Sequence, residues 1–304
     1  MLTEIYGELL FKEAKENKKI IVIDCDLGKS FYTAKFKKAY SFQYYNLGIA
    51  EQNAMCIAAG MAALPYNLVP FVNTFALFAV LRAGDQIRNS ICYTEMNVKI
   101  VTTKIGFSDP QGGATHQAIE DVGIVLSIPK LVVLSPCIEE DVKKAFQFCL
   151  NYKGPVYLRL GKGDINLIPK YRNGVKYSIY RYGIDYAIFA TTDTVKIAVN
   201  VSDYFHEKGI TIAVIGLVMY KPLCEQDIIN LSKDKKKVFI LELQNVLTGV
   251  GNELAKIINK NTKSSVEIIG IKDCFTESGT SEELYNKYGI TEKNLIKKIN
   301  EEEI

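Results

Sequence analysis

The run Tyr45-Asn46-Leu47-Gly48-Ile49-Ala50-Glu51-Gln52-Asn53 places one carboxylate, Glu51, at the head of a long uncharged segment. Between Gln52 and Leu81 there is no Asp, Glu, Lys or Arg. A block of that kind belongs inside a folded domain, so Glu51 is expected to be at least partly buried. Burial disfavours an ionised carboxylate and raises its pKa, and an acid that keeps its proton near neutral pH is a candidate for chemistry. The plainer alternative is a glutamate in the first turn of a helix, where the macrodipole favours negative charge.

Outward from this run, helices and strands alternate. Residues 3–18 have apolar residues at helical spacing, and Ile20-Ile21-Val22-Ile23, ending at Asp24, reads as a buried strand. Residues 50–64 read as a helix rich in Ala and Gly, suited to close packing. Strands are expected at 97–102, 130–134 and 156–160, with an amphipathic helix at 139–152. Around 163–183, Gly163-Asp164, Pro169 and Asn173-Gly174 fit a surface linker. The pattern then restarts, with strands at 186–191, 211–216, 238–243 and 266–271 and helices at 194–208, 252–260, 281–288 and 291–300. The sequence therefore predicts an α/β chain of two domains, 1–170 and 184–304, joined by a linker over 171–183. Each domain is expected to be a mostly parallel sheet flanked by helices, and 304 residues suit two domains.

A hydrophobic share of 48% and a charged share of 23% are those of an ordinary globular protein. A net charge of +3 gives no nucleic-acid footprint. The seven cysteines form no C-x-x-C pair, and their odd number argues against a disulfide framework; they read as small core residues of a reducing compartment. The N-terminus reads straight into a helix without a signal-peptide profile. Pro65, Asn67, Pro70 and Asn73 interrupt the uncharged segment, so no apolar run reaches the roughly 18 to 20 residues of a membrane span. A cytoplasmic protein is the expectation.

Asn46-Leu47-Gly48-Ile49-Ala50-Glu51-Gln52 resembles the pyrimidine-binding motif of thiamine-diphosphate enzymes of the transketolase group. Three further pieces follow in the family's order: Thr74-Phe75-Ala76-Leu77-Phe78, Gly113-Ala114-Thr115-His116-Gln117 and Gly154-Pro155-Val156-Tyr157-Leu158-Arg159-Leu160. The resemblance covers most of residues 20 to 163 and weakens but persists to the C-terminus. The chain is similar to the C-terminal half of a transketolase, of the kind some organisms encode as a separate polypeptide. That resemblance implies a thiamine-diphosphate pyrimidine-binding domain followed by a transketolase C-terminal domain, and transfer of a two-carbon ketol unit from a ketose to an aldose.

Carried over residue by residue, Glu51 would hydrogen-bond the ring nitrogen of the cofactor's aminopyrimidine and stabilise the tautomer that deprotonates the thiazolium carbon. Phe75 and Phe78, three apart and on one face if the segment is helical, would form the wall on which that ring stacks. Leu27 and Ile49 would be further cofactor contacts, although plain core packing explains each apolar residue equally well. His116 would touch the substrate and assist proton transfer at the ketol hydroxyl, a role that suits imidazole. The other histidine, His206, reads as a solvated surface residue. Ser30, Lys104 and Lys162 would bind substrate.

The chain also departs from the sugar-phosphate transketolases. Leu2 and Lys162 stand where those enzymes have Arg, and Lys104 where they have His. Gly112 stands where an Asp binds substrate hydroxyls, with Asp109 or Gln111 as candidates to replace it. Lysines bind phosphate as point charges without the bidentate fork, so the expected substrate is a modified, longer or differently carried sugar. No Gly-Asp-Gly followed by Asn is present, Gly84-Asp85-Gln86 failing at its third position. No metal ligand is therefore expected here. Magnesium and the diphosphate would be held by a separate N-terminal transketolase subunit. The cofactor would lie between the chains, and two such pairs would form a symmetric heterotetramer. Leu241-Glu242-Leu243-Gln244-Asn245-Val246 and Gly249-Val250-Gly251 resemble the family's third-domain signature, without its second acid and its His, and read as scaffold and dimer contact. Two alternatives stay open. One is the β subunit of a 2-oxo-acid dehydrogenase or a deoxyxylulose-phosphate-synthase-like enzyme, less well matched by the Gly-Ala-Thr-His-Gln and Thr-Phe-x-x-Phe strings. The other is a non-catalytic scaffold half.

Overall fold

The computed structural model describes residues 1–164 and 166–303, so the expected domain end at Ile304 lies outside the described residues. Its strands, in chain order, are β1 (Ile20–Asp24), β2 (Tyr44–Asn46), β3 (Val69–Phe75), β4 (Lys99–Thr103), β5 (Val132–Leu134), β6 (Val156–Arg159), β7 (Tyr171–Asn173), β8 (Tyr177–Arg181), β9 (Tyr186–Thr191), β10 (Ile212–Leu217), β11 (Met219–Lys221), β12 (Lys237–Asn245) and β13 (Ser265–Ile271). The first sheet has the order β11-β5-β6-β4-β3-β1-β2 and is parallel except for β11, which runs antiparallel to β5. The second has the order β13-β12-β9-β10-β8-β7, parallel over its first four strands and antiparallel through β8 and β7.

Alternation along β1 explains the layering. Ile20 and Val22 face the helices Leu2–Glu13 and Glu139–Asn151, packing with Tyr6, Leu10, Val142 and Phe146. Ile21 and Ile23 face the helices Glu51–Ala63 and Asp121–Ser127, packing with Ala54, Ala58, Val122 and Val125. A strand buried on both faces has no polar alternation, which is why it reads as a continuous apolar run.

The structure differs from the sequence reading at two places. The uncharged segment holds a central strand, β3, which the sequence hides because Pro65 and Pro70 read as breakers. Pro70 lies near the start of the strand, where a missing N–H costs least. Residues 171–183 are also more than a linker, since β7 and β8 within them pair into the second sheet. Conversely β11, from the second unit, completes the edge of the first sheet.

Candidate active site

Because β1, β2, β3, β4 and β6 are mutually parallel, their C-terminal ends share one edge of the sheet. Ligands of open parallel sheets bind in the crevice outside that edge, and all the singled-out residues leave from it. Leu27 and Ser30 follow β1, Ile49 and Glu51 follow β2, Lys104 and His116 follow β4, and Lys162 follows β6. Phe75 ends β3 and Phe78 belongs to the helix Ala76–Arg82, so no single helix carries both, and the chain turn between them brings their rings to 5.6 Å.

Asp24, at the end of β1, ties this edge together. Its buried carboxylate accepts hydrogen bonds from Thr33 Oγ1, Tyr44 Oη and Asn73 Nδ2, each at 2.6 Å, joining β1 to β2 and β3. Burial pushes its pKa up despite the three donors. Sequence reasoning missed this role because its partners are separated along the chain.

Glu51 is the first residue of its helix and only 3% exposed, as expected. Two side chains meet its carboxylate. Thr74 Oγ1 donates to Oε1 at 3.2 Å, and Arg82 Nη1 lies 3.4 Å from Oε1 and 3.3 Å from Oε2. Arg82, the residue that ends the uncharged block, was not singled out. Its guanidinium also lies over the Phe78 ring, 3.7 Å from the centroid. Phe75 and Phe78 are half-buried, and the His116 ring meets both edge-on at 6.0 and 5.3 Å between centroids. His116 Nδ1 is 2.9 Å from the Thr115 hydroxyl.

Beside this group, Ser30, Lys104 and Lys162 line a single cavity of about 310 Å³ with Lys29, Thr103 and Ser108. Lys104 has φ of 61°, a left-handed conformation unusual for a residue with a side chain. Its Nζ lies 3.4 Å from Asp109 Oδ2, and Lys162 Nζ donates to Ser281 Oγ at 3.3 Å. The Ser108 hydroxyl has no partner among the described residues. Leu2 is fully buried and offers the cavity nothing. Leu27 is partly buried against the Leu2–Glu13 side of the core, and Ile49 is exposed at 73%; both stand outside the aromatic group and the lysine cavity.

The second unit contributes more to the site than scaffold. Gln117 Nε2, next to His116, donates to the carbonyls of Asp109, Pro110 and Glu277 at 3.1 to 3.2 Å, and Gly279 N donates to Pro110 O at 3.0 Å. The 277–281 segment thus clasps the His116 loop and supplies Ser281 to Lys162. His206 is exposed at the end of its helix, and all seven cysteines are free.

A buried carboxylate beside half-buried aromatic faces fits the aminopyrimidine end of thiamine diphosphate. The diphosphate end is different. Among the described residues no three His, Cys, Asp or Glu side chains are grouped to hold a metal ion. No helix among them is long and apolar enough to cross a membrane.

The chain is similar to known proteins over nearly its whole length. Residues 1–166 match the model of the transketolase pyrimidine-binding domain, and residues 176–295 that of the transketolase C-terminal domain. The chain is 34% identical over 303 residues to the inferred transketolase C-terminal section of Methanocaldococcus jannaschii, covering 98% of this chain and 94% of that protein. It is 30% identical over 303 residues to the 6-deoxy-6-sulfo-D-fructose transketolase subunit of a Clostridium species, covering 99% and 94%. Among solved structures, a split-gene transketolase in the form of an inactive beta4 tetramer superposes with a TM-score of 0.86 at 31% identity, covering 99% of this chain and 97% of that one.

Proposed function

The chain belongs to the transketolase family, as the C-terminal section of a split thiamine-diphosphate enzyme that transfers two-carbon ketol units, and on that premise we propose that Glu51, Phe75, Phe78 and His116 are its share of the catalytic site. The observation that carries this reading is the buried Glu51 carboxylate beside an aromatic pair met by an imidazole, all on the C-terminal edge of a parallel sheet.

Bound thiamine diphosphate supplies the carbon nucleophile and the electron sink. Glu51 exchanges a proton with the ring nitrogen of the aminopyrimidine; an aspartate would stop one methylene short, and a glutamine has no proton to exchange. Phe75 and Phe78 give that ring a face to stack on. Leu27 and Ile49 are outer contacts of the same ring, and the exposure of Ile49 suits a contact that another chain completes. His116 keeps one ring nitrogen with Thr115 and offers the other to the hydroxyl of the ketol unit.

Ser30, Lys104 and Lys162 hold the far end of the sugar. Their cavity suits an anionic group, but Lys104 is already shared with Asp109 and the buried Leu2 adds no cation. That set is poor for an ordinary pentose phosphate and better for a modified sugar, in line with the similarity to a sulfo-sugar transketolase subunit. Magnesium and the diphosphate belong to an N-terminal-type partner subunit, with the cofactor between the chains and two such pairs associating as a dimer in the cytoplasm.

Calorimetric titration of thiamine diphosphate with magnesium tests the reading, into the chain alone and into its mixture with a subunit carrying Gly-Asp-Gly. Tight binding is expected only in the mixture, weakened at least about tenfold by Glu51→Ala, since the truncation leaves a buried hydrogen bond unmade. A stable complex that binds no cofactor would sink the catalytic reading. Assay with ketose donors against pyruvate then separates ketol transfer from oxo-acid chemistry.

A further inference from the structure

Arg82 is the last residue of the helix Ala76–Arg82 and the first charge after the uncharged block. Its side chain folds back over the site, so that one planar group lies on the Phe78 ring, 3.7 Å from the centroid, and against both Glu51 oxygens at 3.3 and 3.4 Å. Those separations are long for charge-assisted hydrogen bonds. Arg82 is 45% exposed while Glu51 is 3% exposed, so the contact is loose at the arginine end and fixed at the carboxylate end. Among the described residues the only other side chain donating to Glu51 is Thr74, at 3.2 Å.

An aminopyrimidine needs the same two surfaces, an aromatic face for its ring and the buried carboxylate for its ring nitrogen. A guanidinium is likewise a flat, delocalised array of C–N bonds with N–H donors at its edge, able to stack on an aromatic ring and meet a carboxylate at once. We infer that Arg82 and the aminopyrimidine of thiamine diphosphate compete for the Glu51–Phe78 surface, and that Arg82 swings out as the cofactor docks. The inference rests on the role proposed above for Glu51. Arg82 is then a positioning residue: it keeps a buried carboxylate paired and sets a threshold for cofactor binding. When the binding-competent state is only a fraction of the population, the apparent dissociation constant rises by the inverse of that fraction. If the competent fraction is of the order of 3 to 20%, the threshold is about 5- to 30-fold.

The test uses Arg82→Ala and Arg82→Lys with two readouts. Calorimetry with thiamine diphosphate and magnesium, on the chain reconstituted with its diphosphate-binding subunit, should show Arg82→Ala binding about 5- to 30-fold tighter than the parent. Thermal unfolding of the full chain by itself should show Arg82→Ala melting about 2 to 4 °C lower, because Glu51 loses its counter-ion. Arg82→Lys retains the charge without the flat stack and should fall between parent and Ala in both. Equal or weaker cofactor binding by Arg82→Ala, or an unmoved melting midpoint, overturns the proposal. Should Arg82→Ala not fold, Arg82→Lys and Arg82→Gln carry the same comparison. Glu51→Ala in the Arg82→Ala background separates the two failures, since no arginine is left there to compete. If that double variant binds cofactor as tightly as Arg82→Ala, the Glu51 role itself is wrong; if it binds more weakly while Arg82→Ala binds no tighter than the parent, only the competition is wrong.

Discussion

A β-carbon built on Gly112 would stand 2.8 Å from the β-carbon of His116 and 3.0 Å from Asp109 Oδ2. The backbone there has φ of −66°, which any residue can adopt, so glycine is required by space and not by conformation. The space is taken by the Asp109 carboxylate, held by Lys104. A carboxylate thus reaches this place from three residues earlier in the chain, and of the two candidates raised by the sequence, Asp109 is the one so placed. Gly112→Ala must move either His116 or Asp109. A displacement of about 1 Å at reacting groups can cost on the order of 100-fold. kcat/KM for ketol transfer by the reconstituted enzyme is therefore expected to fall about 10- to 100-fold, while the melting midpoint of the chain changes little. Unchanged kcat/KM would show that the loop has slack and that His116 does not need this position.

The strand β12 carries the signature that the sequence marks as scaffold, and its packing explains the residues. Glu242 is fully buried; Oε2 accepts from Gly251 N at 3.1 Å, and Oε1 has no partner among the described residues. A β-carbon on Gly249 would lie 2.2 Å from Oε1, so glycine at 249 makes room for the carboxyl. Gln244, with its amide turned to satisfy both neighbours, donates to Glu242 Oε2 at 3.0 Å and accepts from Arg159 at 3.1 Å. Burial pushes the Glu242 pKa up to about 7, against about 4.3 for an unfolded chain. The native state then holds this proton more tightly than the unfolded state. Its stabilising effect is complete below about pH 4 and is lost as pH rises to about 7, a span of roughly 4 kcal/mol. Glu242→Gln has no such slope, so between pH 5 and 8 its stability in urea should improve relative to the parent by about 2 kcal/mol; a difference that does not vary with pH would contradict the burial argument. Legibility followed the same physics. Apolar runs such as 186–191 show in the sequence because burial on both faces leaves them no polar residues, and Glu51, Phe75, Phe78 and His116 show because their strings are continuous. β3 is masked by its prolines, β7 and β11 are three residues long, and Arg82 meets Glu51 across 31 residues, a pairing that only the fold creates.

The two units are joined by charge as well as by chain. Arg159 on β6 and Asp121 are 1% and 0% exposed and pair through Nε at 2.7 Å and Nη2 at 3.0 Å. Tyr157 Oη donates to the same carboxylate at 3.1 Å, and the Gln244 amide of β12 takes the other side of the guanidinium. This buried line runs from the first sheet to the second, alongside the exchanged strand β11 and the segment that clasps the His116 loop. The site is accordingly a product of both units, and loss of their contact should unfold them together. A buried pair stabilises little compared with apolar replacements, but removing one partner leaves an uncompensated charge at a cost of about 3 to 5 kcal/mol. Arg159→Met should therefore destabilise the chain by about that amount, with far-UV circular dichroism and hydrogen exchange in both sheets following one transition in urea. Two separate transitions would show that the units fold independently. The double variant Asp121→Leu with Arg159→Met should recover much of the loss, since neither charge is then left alone. A double variant as unstable as Arg159→Met would place the energy in the packing around the arginine stem and not in the charges.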